Sequence, residues 1–225
     1  MDVTGDHMKL FCYYTPTHKN MFDNFLKRSC DLFQEHDVVS FMDSDQLSED
    51  GSFYSTGFHE TVVKKLDFII DSNVWDDSEY CIFSDADVLF TSPTKEFLEE
   101  QAQGFDIVFQ SDQTTYNSGF YVFRNSPRVK SMFEEARRVK DQHFGDQLCI
   151  DAALRTIPLK CKAFDKTVFN ISFYSGGNVW DNESTIHFPK HMRVYHANFI
   201  VGVENKEKAL KTAYDRFLAP KFPNS

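Results

Sequence analysis

The sequence lacks three features that would each define a class of protein. No apolar run is long enough to cross a bilayer, and the N-terminus has no signal-peptide pattern. The five cysteines are scattered without a CxxC pair, which argues against a disulfide framework and a zinc site. Basic residues are in deficit, and the formal net charge of -10 argues against nucleic acid or an anionic membrane as partner. We therefore expect reduced thiols, no integral membrane segment and a cytoplasmic location.

The sequence does contain enough apolar material for a sizeable core. Its 225 residues are 41% hydrophobic and include 24 phenylalanines, as expected for a folded, aromatic-rich domain. The acidic balance does not exclude phosphate-bearing small molecules, because a bound metal ion reverses the local field. Residues 1–8 precede the first strand pattern and are expected to be a disordered or artificially added segment. The predicted domain therefore spans residues 9–217.

Apolar periodicity predicts strands that alternate with helices in the first half of the chain and a less regular second half. Strands are predicted at residues 9–16, 37–43, 80–83, 105–112, 119–124, 159–164 and 192–199. Helices are predicted at residues 21–33, 56–70, 94–101, 127–139, 145–154 and 204–217, and a loop at Gly176-Gly177. The pattern predicts one α/β domain of two fused halves, with a mostly parallel sheet flanked by helices. Ligands of such sheets gather beyond the carboxyl ends of the strands.

The stretch CIFSDADVLF places two carboxylates inside an apolar run. A buried, unpaired carboxylate is costly, so we expect Asp85 and Asp87 to emerge where the third strand ends and to face a cleft. On an extended backbone they would share one face, and two oxygen ligands there suit Mn²⁺ or Mg²⁺. The alternative is a solvated turn whose aspartates cap a helix.

The stretch VYHANFIVGVENK carries a second group of polar residues after a strand pattern. A neutral imidazole at His196 would complete a Mn²⁺ shell alongside carboxylates. Gly202 would let the backbone approach a phosphate, and Lys206, near a helix N-terminus, would supply charge to a diphosphate. A lone histidine is more often structural, but the combination favours a binding site.

Two further motifs each allow two interpretations. In YNSGFYVF, Asn117 stands at the start of an apolar strand, where its amide would read sugar hydroxyls or simply form a turn. In FGDQLCIDAAL, Asp146 and Gln147 open a helix, where the acid would cap the helix or point into the cleft as a sugar ligand.

Taken in order, SDADV, NSGFYVF, GDQ and HANFIVGVENK resemble the motifs of GT-A glycosyltransferases, over roughly residues 9–206. The set is most similar to the nucleotide-diphospho-sugar transferase family that includes plant rhamnogalacturonan xylosyltransferases, and more distantly to the glycogenin-like family. The glycogenin-like form has a glycine and an aromatic residue soon after its histidine, whereas here Asn198 intervenes and Gly202 comes later.

This resemblance implies a Rossmann-like GT-A domain that transfers a sugar from a nucleotide-sugar donor to a hydroxyl of a carbohydrate or glycoprotein acceptor, with retention. The implied donor nucleotide is UDP, with a guanosine nucleotide as the alternative. An inverting enzyme would instead need a carboxylate base, for which Asp112, Asp146 and Asp151 are candidates.

The resemblance also implies roles for individual residues. Asp85 and Asp87 would form the metal and ribose site, with Asp87 the firmer ligand, and His196 would be the further protein ligand of Mn²⁺. Asp87, Asp146 and Gln147 form the implied catalytic set. Donor contacts are implied for Tyr13, Tyr14, Thr15, Lys64 or Lys65, Asp85, Asn117, Asn198, Gly202 and Lys206.

Two rival functions remain open on the sequence. IFSDADVLF also resembles the motif of haloacid-dehalogenase-type phosphatases, with Asp85 as nucleophile, Asp87 as general acid and Mg²⁺ as cofactor. Against this, two strand–helix units precede the motif, and HANFIVGVENK would have no role. The other rival is a domain that binds a sugar nucleotide without transferring the sugar.

Overall fold

The computed structural model describes residues 7–48, 51, 55–72, 75, 80–112, 115–175 and 178–223. The strands are β1 Met8–Tyr14, β2 His36–Met42, β3 Tyr80–Ser84, β4 Val88–Phe90, β5 Ile107–Ser111, β6 Tyr116–Arg124, β7 Cys161–Ala163, β8 Val168–Phe169 and β9 Val194–His196. The helices are α1 Lys19–Met21, α2 Arg28–Phe33, α3 Phe58–Asp71, α4 Lys95–Ala102, α5 Pro127–Arg138, α6 Gly145–Thr156, α7 Ser172–Ser175 and α8 Val203–Phe217. A π-helical segment, Phe22–Lys27, joins α1 to α2.

The central sheet has six strands in the order β2-β1-β3-β6-β5-β7. Strands β2, β1 and β3 are parallel to one another, and β5 is parallel to β7. Strand β6 pairs antiparallel with both β3 and β5, so it alone in this sheet runs in the opposite direction. The prediction of a mostly parallel sheet flanked by helices is confirmed.

A second, three-stranded sheet has the order β4-β9-β8. The sequence did not predict β4 or β8, because each is very short and gives no periodicity of its own. The strand predicted at residues 192–199 is wrong in its second half. There the chain turns away after β9, with Phe199 at φ 61°, and the Phe199 carbonyl accepts a hydrogen bond from the Trp180 amide at 2.7 Å. The predicted Gly176-Gly177 loop lies outside the described residues.

Apolar side chains form three packed clusters. One lies between the sheet and α3, α5 and α6, another lies on the opposite face against α2 and α4, and the third lies under the small sheet and α8. Fully buried members include Phe83, Phe109 and Phe133 in the first cluster, Leu26, Leu98 and Phe120 in the second, and Phe169, Tyr195 and Leu210 in the third. Burying each such side chain stabilises the fold by about 1.5–3 kcal/mol.

The five cysteines are free thiols, and four of them are buried. Among the helices that the structure describes, none combines the length and apolar composition needed to cross a membrane.

Candidate active site

The two carboxylates of CIFSDADVLF lie in a turn between β3 and β4. Strand β3 ends at Ser84, one residue beyond the predicted strand, and the Asp85 amide then donates to the Gly119 carbonyl of β6 at 2.7 Å. The backbone is not extended here, because residues 86 and 87 form the turn itself, so the condition under which the two aspartates would share a strand face is not met. The helix-capping alternative is wrong, since a strand follows the turn.

Pairing of the small sheet brings His196 to this turn. Strand β4 runs antiparallel to β9 with Val88 opposite His196, and the Ala197 amide donates to the Asp87 carbonyl at 2.9 Å. The imidazole Nε2 therefore lies 3.3 Å from Asp87 Oδ1 and 3.9 Å from Asp85 Oδ2. Two residues distant in sequence from His196 thus meet it in one buried group.

This group has the donor set that a divalent cation requires. Asp85, Asp87 and His196 each offer one ligand atom, and these atoms lie within 4.8 Å of one another. Two carboxylate oxygens with one imidazole nitrogen suit Mn²⁺, and the oxygens also suit Mg²⁺. Gly119 shows how closely the site is packed, because a Cβ there would lie 2.4 Å from His196 Cε1 and 2.7 Å from Asp85 Oδ2.

Two lysines neutralise the acid pair. Lys206 Nζ lies 2.6 Å from Asp87 Oδ2. Burial alone would raise the pKa of Asp87, but the Lys206 ammonium holds it well below its usual range. Lys65 Nζ lies 2.7 Å from Asp85 Oδ1 and 3.6 Å from Asp146 Oδ2. Burial nevertheless raises the pKa of Asp85, so its proton is held more firmly than that of Asp87.

These residues form one wall of a cleft of about 440 Å³. The cleft is also lined by nearly all the other residues predicted for the site: Tyr13, Tyr14, Thr15, Asn117, Asp146, Gln147, Asn198, Gly202 and Lys206. The exception is Lys64, which does not line the cleft and instead contacts Asp43 Oδ2 at 2.7 Å. The neighbouring Lys65 lines it instead.

On the β6 side of the cleft, side-chain amides surround one carboxylate, that of Asp112. Asn117 and Asn170 each donate an Nδ2–H to Asp112, at 3.0 and 3.1 Å, and burial raises the pKa of Asp112. Asn117 also lies 3.4 Å from Gln147 Oε1. Asn117 belongs to β6, so the alternative that it merely forms a turn is wrong. Asp146 lies in the first turn of α6, whose N-cap residue is Phe144, and it lines the cleft.

The carboxyl end of β1 forms the opposite end of the cleft. The Tyr13 hydroxyl donates to Asp43 Oδ2 at 2.6 Å, and the Tyr14 ring stacks on Phe22 with centroids 4.3 Å apart. At the start of α8, Gly202 has φ 89°, a backbone conformation that favours glycine. The structure thus places Gly202 where the chain must turn into the helix that carries Lys206.

Sequence reasoning missed two residues of the site. His18 lines the cleft, and burial, with Lys206, lowers its pKa to about 4, so the ring stays neutral at pH 7. Its stretch, TPTHK, gave no periodic signal. Gln110 is fully buried and its Oε1 lies 2.6 Å from His196 Nδ1. An amide in the middle of the apolar run FDIVFQSD was the signal that could have identified it.

The sheet, the acid pair at the end of β3 and the cleft together define a GT-A glycosyltransferase. The family model described as nucleotide-diphospho-sugar transferase matches residues 21–210. The chain belongs to that family. Because this family transfers sugars from nucleoside diphosphates, the phosphatase alternative is left without support. A comparison with curated proteins gave no match.

Solved structures share the fold at low sequence identity. The chain is similar to a glycosyltransferase involved in the glycosylation of the major capsid of PBCV-1, with TM-score 0.63, 10% identity and coverage of 91% of this chain and 99% of the other. The glycosyltransferase GlyE of Streptococcus pneumoniae TIGR4 aligns with TM-score 0.58 and 11% identity, over 96% of this chain and 64% of the other. The galactosyltransferase LgtC, solved with donor and acceptor sugar analogues, aligns with TM-score 0.57 and 10% identity, over 91% of this chain and 96% of the other. These likenesses concern the fold alone.

Proposed function

We propose that this glycosyltransferase is metal-dependent and transfers a sugar from a UDP-sugar to a hydroxyl of a carbohydrate or glycoprotein, with retention of configuration. The observation that carries the proposal is the convergence of Asp85, Asp87 and His196 beside Lys206 at the wall of one cleft. Anionic oxygens with an imidazole suit a cation, and an ammonium beside them suits the diphosphate that the cation would accompany.

The chemical problem is the departure of a nucleoside diphosphate from a sugar carbon. A divalent cation bound at this site would supply Lewis-acid stabilisation of the negative charge that develops on the leaving group. Lys206 is positioned to add to that stabilisation from the chain itself, since its ammonium lies at the same carboxylate, Asp87. Fixed charges in a cleft shielded from water act more strongly than in bulk solvent.

We assign the donor's nucleoside to the β1 end of the cleft and its sugar to the β6 end. Tyr13, Tyr14 and Thr15 line the β1 end and offer ring faces and a hydroxyl. Asn117 and Gln147 line the β6 end and offer amides for sugar hydroxyls. UDP is preferred on the family resemblance, and GDP is the competing nucleotide in the test.

Retention is supported by the state of the candidate bases. Asp112 is engaged by two asparagine amides, and Asp146 is paired with Lys65. Asp151 is not among the residues that line the cleft. With these carboxylates engaged or distant, we assign the acceptor proton to the departing phosphate. The anomeric configuration of the product, read by proton NMR, tests this: an inverted product would overturn it.

A thermal-shift screen of UDP- and GDP-sugars, each with and without Mn²⁺, tests the donor and the metal together. A ligand that binds only the folded state raises the melting temperature by mass action. We expect a UDP-sugar to stabilise the wild type only when Mn²⁺ is present, and Asp87→Ala and His196→Ala to lose this effect. The exposed residues Asp215 and His191 supply the matched controls Asp215→Ala and His191→Ala, which should behave like the wild type.

The non-catalytic alternative predicts a different result from the same material. A domain that only binds would show the metal-dependent shift but neither hydrolyse the UDP-sugar nor transfer from it to any of a broad panel of acceptors. Equal shifts in the wild type and in the Asp87 and His196 variants would overturn the metal site itself.

A further inference from the structure

We propose that Gln110 is a positioning residue that fixes the tautomer and ring orientation of His196, so that the Nε2 lone pair faces Asp85 and Asp87. The proposal rests on the metal centre of the proposed function. It adds a residue to that centre that would not touch the cation, and it assigns to Gln110 the role of keeping the imidazole ready to bind.

The contact that carries the proposal is a single hydrogen bond. Gln110 Oε1 lies 2.6 Å from His196 Nδ1. An amide oxygen only accepts hydrogen bonds, so the proton must be on Nδ1 for the bond to form. A neutral imidazole with its proton on Nδ1 has its lone pair on Nε2, the atom 3.3 Å from Asp87 Oδ1.

That arrangement is unfavourable without a cation. Within the described residues, the atoms around Nε2 include the carboxylate oxygens of Asp85 and Asp87, and a lone pair facing carboxylate oxygens is repulsive. The opposite tautomer would instead donate Nε2–H to Asp87. The hydrogen bond to Gln110 is what favours, against this repulsion, the tautomer that suits a metal ligand, and a second hydrogen bond from a ligand histidine is the usual way to select it.

The backbone explains why Gln110 reaches the ring. The register of β5 with β6 jumps from Phe109 opposite Tyr121 to Gln110 opposite Asn117, so that residues 118–120 of β6 bulge between these two pairs. Bulges redirect side chains next to functional sites. The same bulge contains Gly119, whose missing side chain leaves room for His196 and Asp85.

A purely structural role does not explain the buried contact between Gln110 and His196. Gln110 and His196 are 0% and 2% exposed, and Gln110 Nε2 has no hydrogen-bond partner within the described part of the chain. An apolar side chain of similar size would avoid this unsatisfied buried donor. The amide is therefore explained by what its oxygen does for His196.

The test compares Gln110→Leu, which removes the acceptor, with Gln110→Glu, which places a carboxylate oxygen where the amide oxygen lies. Gln101→Leu is the matched control, because Gln101 accepts from Lys162 and does not line the cleft. Nitrogen-15 NMR of histidine-labelled, metal-free protein reads the tautomer, with the His196 signals identified by their loss in His196→Ala. Electron paramagnetic resonance titration measures Mn²⁺ binding, and melting temperatures without metal check the fold.

We expect His196 to carry its proton on Nδ1 in the wild type and in Gln101→Leu, and Nε2–H to appear in Gln110→Leu. Mn²⁺ affinity should fall about 10- to 100-fold in Gln110→Leu and be restored in Gln110→Glu. A proton on Nε2 in the wild type, or an unchanged tautomer and Mn²⁺ affinity in Gln110→Leu, would overturn the proposal. Failure of the wild type to bind Mn²⁺ would overturn the metal centre as well, so the two failures are distinguishable.

Discussion

The two sheets of this molecule contribute to the site in different ways. The large sheet supplies Asp85 at the end of β3 and Asn117 on β6, within elements whose apolar periodicity predicts them. The small sheet supplies His196 through a three-residue strand, β9, that pairs with another three-residue strand, β4. The proposed metal site thus depends on local sequence for Asp85 and Asp87, and on pairing between segments far apart in the chain for His196.

The small sheet therefore determines whether His196 lies beside the two aspartates. The register that sets Val88 opposite His196 determines where the imidazole lies. Aromatic packing holds that register, because the Tyr195 ring stacks on Phe169 and meets Phe188 edge-on, with centroids 5.9 and 5.1 Å apart. A change that shifts the β4–β9 register should therefore weaken metal binding at the proposed site.

The largest effect on the contact between His196 and Asp85 is expected from Gly119→Ala. The new Cβ would lie within 2.7 Å of both His196 and Asp85, so one of the two ligands must move. We expect Mn²⁺ affinity and transfer to fall about 10- to 100-fold, measured by calorimetry and by release of UDP.

Gly104→Ala is the matched control for Gly119→Ala. Gly104 has a positive φ, 78°, unlike Gly119, and a Cβ there would meet only Lys160 Nζ, at 3.8 Å. It should cost about 1 kcal/mol of stability and leave Mn²⁺ affinity unchanged. If both variants lost Mn²⁺ binding equally, the close approach at Gly119 would not explain the loss.

A smaller effect is expected from Lys206→Met. This variant distinguishes binding of the cation from binding of the diphosphate. Lys206 shares Asp87 with the cation site, so its removal should leave the affinity for Mn²⁺ alone undiminished. Affinity for UDP in the presence of Mn²⁺ should fall about 10-fold, the scale of one hydrogen bond to a charged group. Calorimetric titrations of Mn²⁺, and then of UDP with Mn²⁺, measure the two constants.

Lys211→Met, on an exposed face of the same helix, is the control for Lys206→Met and should change neither affinity. A parallel loss of Mn²⁺ and UDP affinity in Lys206→Met would contradict the assignment of Lys206 to the diphosphate.

The smallest effect concerns stability away from the site. His36 of β2 is buried with its Nε2 2.9 Å from Thr94 Oγ1, and burial lowers its pKa from 6.5 to about 4. Between these values the unfolded chain binds more protons than the folded one, so stability rises with pH. The contribution of His36 to the free energy of unfolding should fall by up to about 1.4 kcal/mol per unit as pH drops from 6.5 towards 4.

Urea denaturation of the wild type and of His36→Gln across that range checks the prediction. The slope with pH should be shallower in the variant and remain above zero, because His18 also has a pKa lowered to about 4. Identical slopes would contradict a neutral, buried His36.

The sequence was informative wherever one segment carried its own signal. The apolar run before Asp85 placed the acid pair at the end of a strand, and the helical period over α3 was correct. That same period could also have identified Lys65, which lies three residues after the buried Val62 and four before the buried Ile69, on the inward stripe. Lys64, by contrast, lies off the stripe and meets Asp43.

The remainder of the site could not be predicted because it depends on pairing between distant segments. Neither the β4–β9 register nor the bulge at Gln110 has a local signature: a three-residue strand is too short to show a period of two, and a bulge depends on the partner strand. His196 was predicted as a ligand from its imidazole, its combination with Gly202 and Lys206, and the order of the motifs. Its partner Gln110 was not predicted: the amide in the apolar run FDIVFQSD marks an unusual position, but only the folded chain shows that it meets His196.

The most direct test is a crystal of the protein grown with Mn²⁺ and UDP, with data collected so that manganese scatters anomalously. The account predicts one strong peak in direct coordination distance of Asp87 and His196, with the UDP diphosphate bound beside it and next to Lys206. A peak elsewhere, or UDP bound in the cleft with no cation between the diphosphate and these side chains, would contradict it.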